Sequence, residues 1–268
     1  MKYTLPSKLY KYQSYNTNAL DNLKNRQLWF SKPSKFNDPF DCAIHFEIAY
    51  QTDEDWNDLY KIYRKEFPEG QDFDKKYLTN NKVNQLFKDE ALRGLNKAFQ
   101  ERIDIMRNKR GVACFSEVVD NILMWGHYAD GHRGFCLEFD TSNEHFSRAF
   151  PVDYSDTFPT MHLTKVLVRE EDDAKLMDMI TTKAKLWSYE KEWRLFHMEG
   201  DKQYGVGIEA LTGIYFGCEM PFTHKEIISL ILDNASTKLY EMQKVEGKFQ
   251  LEFRKVDYTP YSKREIKP

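Results

Sequence analysis

Apolar and polar residues alternate in short stretches of this chain, the pattern of half-buried strands, and elsewhere recur three and four apart, the pattern of helices. KLYKY (8–12) predicts a short strand by its residue types; Asn16 or Thr17 then caps a helix over TNALDNLKNRQ, with Leu20 and Leu23 on one face. LWFS (28–31) predicts a second strand and KPSKFNDPFD a loop with two prolines. Residues 50–110 are highly charged. Their apolar positions (Trp56, Leu59, Tyr60 and Tyr63, later Leu86, Phe87 and Leu92) have helical spacing and predict two or three helices, a helical insertion between two parts of a sheet.

Strand character returns at GVACFS (111–116), followed by a short helix at NILMWGHYA and a strand at GFCLEFD (134–140). Residues 141–163 are loop-rich, with strand signal limited to Phe150–Tyr154, and residues 164–187 predict a strand and then a helix. YEKEWRLF (189–196) and GIYFG (213–217) predict strands, HKEIISLILDN (224–234) a helix and KFQLEFRKVDY a last strand. Strands joined by irregular helices, with no βαβ rhythm, predict an α+β fold, read as a single domain over 1–268. No repeat, low-complexity segment or Ser/Gly linker interrupts it.

Composition narrows the function classes. A formal charge of −3 gives no overall attraction to polyphosphate, which argues against unspecific nucleic-acid binding. Cys42, Cys114, Cys136 and Cys218 are widely spaced and fit neither a disulfide framework nor a zinc site. The opening MKYTLPSKLYKYQ has no apolar core and no stretch of 18 apolar residues follows, so the expectation is a cytoplasmic protein without a membrane segment. Aromatic residues make up 15%, enough to build stacking walls as well as a core.

The sharpest chemical signal is Tyr189-Glu190-Lys191-Glu192-Trp193-Arg194-Leu195-Phe196. On a strand, Glu190, Glu192 and Arg194 share one face, with Tyr189, Trp193 and Leu195 turned to a core. The charged face is either solvated or a cleft-facing cluster that stabilises positive charge or binds a hydroxyl. Ser116 ends a buried strand, where a hydroxyl is often presented to a cleft. Trp125 and Tyr128 share a helix face and either wall a pocket or belong to the core. Asn37, Asp38 and Asp41 around Pro39 form either a turn or a metal or substrate site. His127 and His132, five apart, have no third ligand at zinc spacing. No G-x-S-x-G elbow surrounds Ser116, and no glycine-rich phosphate loop is present.

Taken together, LYKYQS, LWFSKPSKFNDPFD, CFSE, MWGHYADGHRGFCLEFD and YEKEWRLF resemble the bacterial domain-of-unknown-function family numbered 2971, over residues from about 9 to about 217. More distantly, the order of motifs resembles that of the ADP-ribosyltransferases, whose small split mixed or antiparallel sheet holds NAD between three motifs. LYKY stands for the first, CFS for the second and YEKEW for the third. This second resemblance implies NAD as substrate and no metal. It makes Glu192 the carboxylate that stabilises the ribosyl cation, Glu190 the group that orients or activates the acceptor, and Ser116 their support. It also makes Tyr10, Tyr12, Trp125 and Tyr128 candidates to stack on nicotinamide. Arg194 then grips a phosphate or locks the glutamates, and Lys11 occupies the first-motif position where family members read histidine. The acceptor, protein, nucleic acid or water, stays open, as does a role as toxin or phage-defence effector.

Two other classes stand beside this one. In a metal-dependent nuclease or phosphodiesterase, Asp38, Asp41, Glu190 and Glu192 supply hard oxygen ligands. In a non-catalytic nucleotide-sensing or protein-interaction module, Glu190 and Arg194 are a structural pair.

Overall fold

The alternating stretches do become strands, and most of them join one sheet. The computed structural model describes residues 3–42, 46–47, 53, 56–57, 60–61, 81–159, 161–162, 177–178, 180–232 and 236–257. Its strands are β1 (Lys8–Gln13), β2 (Gln27–Phe30), β3 (Phe46–Glu47), β4 (Gly111–Ser116), β5 (Phe135–Asp140), β6 (Phe150–Pro151) and β7 (Asp153–Ser155). They continue with β8 (Met161–His162), β9 (Thr182–Ala184), β10 (Glu192–His197), β11 (Lys202–Gly205), β12 (Leu211–Phe216), β13 (Lys238–Lys244) and β14 (Leu251–Val256). The helices with described bounds are α1 (Thr17–Lys24), α2 (Asn81–Asn108), α3 (Ile122–Tyr128) and α4 (Phe222–Ile231). The chain divides into two compact units, one of residues 1–32, 110–152 and 185–268 and one of residues 33–109 and 153–184.

The first unit is built on an eight-stranded sheet in the order β14-β13-β12-β5-β1-β4-β10-β6. It is continuous, where the distant resemblance implies a small split sheet. Every pairing is antiparallel except β12 with β13, which run parallel across the crossover helix α4. That is one βαβ unit, a rhythm the sequence did not display because β13 alternates weakly: its side chains are mostly half-buried on both faces.

Period-two alternation gives the sheet two different faces. Leu9, Phe115, Leu137, Trp193, Leu195 and Ile214 face one side. They pack there with Ala19 and Leu23 of α1, Phe30 of β2 and Ile228 of α4. The Asn16 side chain caps α1 by accepting from the Ala19 amide at 2.9 Å. The other face carries Tyr12, Cys136, Tyr215 and Met242, covered in part by Met124 and Trp125 of α3.

The motif GHYADGHRGF turns α3 back into β5. Asp130, Gly131 and His132 all adopt left-handed backbone with φ of 49°, 58° and 68°. At Gly134 an added Cβ would lie 2.1 Å from the Gln13 carbonyl, so only glycine lets this turn close on β1.

In the second unit, β3 pairs with β8 and β7 with β9, both parallel, and α2 forms a helix within the expected insertion. Two or three helices are expected over 50–110; residues 53, 56–57 and 60–61 are helical as well as α2, while 62–80 and most of the elements expected over 164–187 lie outside the described residues.

Candidate functional site

The strands β1, β4 and β10 lie side by side. Tyr10 on β1 and Glu192 on β10 are both directly opposite Ser116 on β4, and Tyr10 is also opposite Glu138 on β5. Directly paired residues project to the same side of an antiparallel sheet. Glu138, Tyr10, Ser116 and Glu192 therefore form one row, on the face that α3 partly covers.

Glu192 and Arg194 form a chelate. The guanidinium donates from Nε to Oε1 at 2.8 Å and from Nη2 to Oε2 at 3.0 Å. Such a fork pairs two charges with fixed geometry. Glu192 is 4% exposed and Arg194 0%, so the face is not solvated.

Glu190 corrects the strand reading. Residues Lys185–Glu190 form a 3-10 helix, and Lys191 takes left-handed backbone with φ of 44° before β10 begins. Glu190 thus reaches its buried position from a turn, and its Oε1 accepts from the Tyr128 hydroxyl at 2.7 Å. The turn is tied to the sheet by the Glu117 amide donating to the Lys191 carbonyl at 3.1 Å. Asn121, which caps α3, also donates to the Tyr189 carbonyl at 3.2 Å. Two carboxylates, one locked by a guanidinium and one by a phenol, are held where a turn enters a strand.

Ser116 corrects a second expectation. Its hydroxyl is fully buried, donates to the Glu190 carbonyl at 2.5 Å and accepts from the Val118 amide at 3.1 Å. It holds the Glu190 turn rather than facing a cleft. Lys11 alternates with Tyr10 and Tyr12, so it belongs to the opposite face. There its ammonium lies 5.2 Å from the centre of the Phe115 ring and donates to the Cys114 carbonyl at 3.1 Å. Burial lowers its pKa, against the pull of the Cys114 and Glu192 groups.

The four candidate stacking rings separate by burial. Trp125 is fully buried with its indole N–H on the Val119 carbonyl at 2.6 Å, and Tyr12 packs edge-on against it at 5.3 Å. Both are core residues here. Tyr10 and Tyr128 are half-buried.

One residue of the row was not singled out from sequence. Glu138 is 1% exposed and accepts from Thr212 at 2.8 Å, Tyr215 at 2.7 Å and Tyr10 at 3.4 Å, and pairs with Lys8 at 2.9 Å. A bulge in β12 between Leu211 and Gly213 aims Thr212 at it, and a Cβ at Gly213 would lie 3.3 Å from its carboxylate. Burial alone would raise the Glu138 carboxyl, but hydrogen bonds from Lys8, Tyr215 and Thr212 prevail and hold it below its ordinary value. Burial and the adjacent carboxylate push the Tyr10 phenol up to about 12. The sequence signal was available: Glu138 is a charge between apolar neighbours in FCLEFD, and such a charge needs partners.

The Asn-Asp-Pro loop reads as a turn. Asp38 Oδ1 accepts from the Phe40 amide at 2.9 Å, and Asp41 makes a buried ion pair with Lys183 at 3.4 Å. The His132 and Trp125 rings are near-parallel with centres 6.5 Å apart, and His132 Nδ1 lies 3.8 Å from Cys218 Sγ. Among the described residues, no three His, Cys, Asp or Glu side chains assemble into a group able to hold a metal ion. Among them also, no helix is long and apolar enough to cross a membrane.

No curated protein and no solved structure matches the chain. Residues 124–195, which include Trp125, Tyr128, Glu138, Glu190, Glu192 and Arg194 but neither Tyr10 nor Ser116, match the model of a family described as "Protein of unknown function (DUF2971)", and that match supports the family resemblance.

Proposed function

We propose that this chain cleaves NAD at the nicotinamide–ribose bond and passes the ADP-ribosyl group to an acceptor. The observation that carries the reading is the row itself: the first, second and third motifs stand on adjacent strands, with Tyr10, Ser116 and Glu192 in register. Nicotinamide leaves with the bonding electron pair, and the ribose C1′ becomes oxocarbenium-like, as in glycoside hydrolysis. Glu192, oriented by Arg194, stabilises that cation; Glu190 takes the proton from the acceptor nucleophile that captures it. Ser116 acts as a positioning residue through the Glu190 carbonyl, and Tyr10 and Tyr128 are the half-buried rings available to nicotinamide.

The test is nicotinamide release by purified protein with cell lysate as acceptor. Glu192→Gln, confirmed folded by circular dichroism, is expected to lose activity by about 10²–10³, the scale of removing one preorganised charge-stabilising group. Folded wild type that neither binds nor turns over NAD refutes the proposal.

A second reading is favoured by one observation, the burial of both glutamates. There Glu192–Arg194 is a structural ion pair in a non-catalytic nucleotide-sensing or protein-interaction module. It predicts that Glu192→Gln lowers the melting temperature and leaves ligand or partner binding in place.

A further inference from the structure

Strand β10 carries a second feature on the far side of the sheet from the Glu192 carboxylate. Its partner β6 pairs only with Trp193 and Arg194, so beyond them the edge of the sheet opens. The gap is bounded by the turn at 144–148 and by β11, which pairs with β2. The resulting cleft has a volume of about 550 Å³, within the range of small-molecule sites.

Its lining is ordered by chemistry. Phe30 and Leu195 make a buried apolar floor. His197 and Tyr204 form an aromatic wall, stacked with ring centres 3.3 Å apart. At the rim stand His145 and Arg148, both exposed, with Glu144 as the one carboxylate of the lining. Among the described residues, neither the His145 ring nor the Arg148 guanidinium has a hydrogen-bond or ion-pair partner. A cation with no protein partner, set over an aromatic and apolar recess, is suited to a ligand that carries both an anionic group and a ring.

We propose that this cleft is a binding site for a mononucleotide-sized ligand, its aromatic ring against the His197–Tyr204 wall and its anionic group on Arg148 and His145. The site does not rest on the NAD reading and shares no side chain with it.

Calorimetric titration of the full chain with AMP tests the proposal, with adenosine as the uncharged control. AMP is expected to bind about tenfold or more tightly than adenosine, the factor one charge-assisted hydrogen bond supplies. Arg148→Glu and, separately, His145→Ala should each weaken AMP without changing the melting temperature, because both side chains are exposed. Glu192→Gln should leave AMP affinity unchanged, which separates this cleft from the carboxylate row. Equal affinity for AMP and adenosine, indifference to Arg148→Glu, loss of binding in Glu192→Gln, or no AMP binding at about 5 mM overturns it.

Discussion

Glu138 and Glu192 are both buried on the same face of one sheet, three strands apart, yet they are held in opposite ways. Glu192 relies on a chelating guanidinium from its own strand, two residues along. Glu138 draws on Lys8 and Tyr10 from β1 and on Thr212 and Tyr215 from β12, and Lys8 is itself half-exposed. The first arrangement has a two-point fork from one side chain at its centre, with Cys114 and Lys11 also close to the carboxylate; the second gathers four donors from two neighbouring strands. Removing the fork takes away two hydrogen bonds and the opposite charge at once, whereas the second arrangement weakens donor by donor.

The contrast breaks most visibly at Arg194. Arg194→Leu leaves Glu192 buried without its chelating partner and should cost ~3–5 kcal/mol in urea denaturation. The double variant with Glu192→Leu should recover most of that loss, since an apolar pair of similar volume often replaces a buried ion pair. A single-variant loss below about 1 kcal/mol would refute the chelate as a stabilising element.

Glu138→Gln should cost less, about 1–2 kcal/mol at neutral pH, because several donors keep an acceptor. Its signature is in the acid limb. The folded Glu138 carboxyl titrates below its ordinary value of 4.5, so the unfolded chain takes up the proton first as pH falls. The stabilisation is complete above that ordinary value and disappears as pH falls through the lower, folded one. The stability gap between wild type and Glu138→Gln should therefore narrow as pH falls below 4.5 toward the lower, folded value. A gap that stays constant removes the linkage.

The smallest effect sharpens the boundary between the two glutamates of Tyr189-Glu190-Lys191-Glu192-Trp193. Lys191 holds left-handed backbone at a cost of ~1–2 kcal/mol for a non-glycine residue. Lys191→Gly should stay within about 1 kcal/mol of wild type, since relief of strain offsets added unfolded-chain freedom. Lys191→Val should lose ~1–2 kcal/mol.

The same contrast explains what could be read from the sequence. Glu192 and Arg194 lie two apart in an alternating stretch, so a shared face followed from local order alone. Strands at 8–12, 28–31, 111–116 and 134–140 were legible for the same reason, as were the helices after Asn121 and over residues 224–234. The Glu138 cluster gathers residues from positions 8 to 215 and depends on a bulge at Thr212, so its assembly needs the sheet order. Alternation across Glu190 continues without a visible break, and nothing in Tyr189-Glu190-Lys191 announces a left-handed lysine. Strands β11 and β13 escaped because neither has a clearly divided pair of faces.

Strand β1 occupies the middle of the eight-stranded sheet, between β5 and β4. Both of its neighbours are encoded beyond residue 110, so a nascent chain carries this strand without its sheet neighbours until β4 and β5 have been made. Assembly of the sheet is therefore a late event of high contact order, slow by the cost of closing long loops and open to chaperone capture until β4 and β5 arrive.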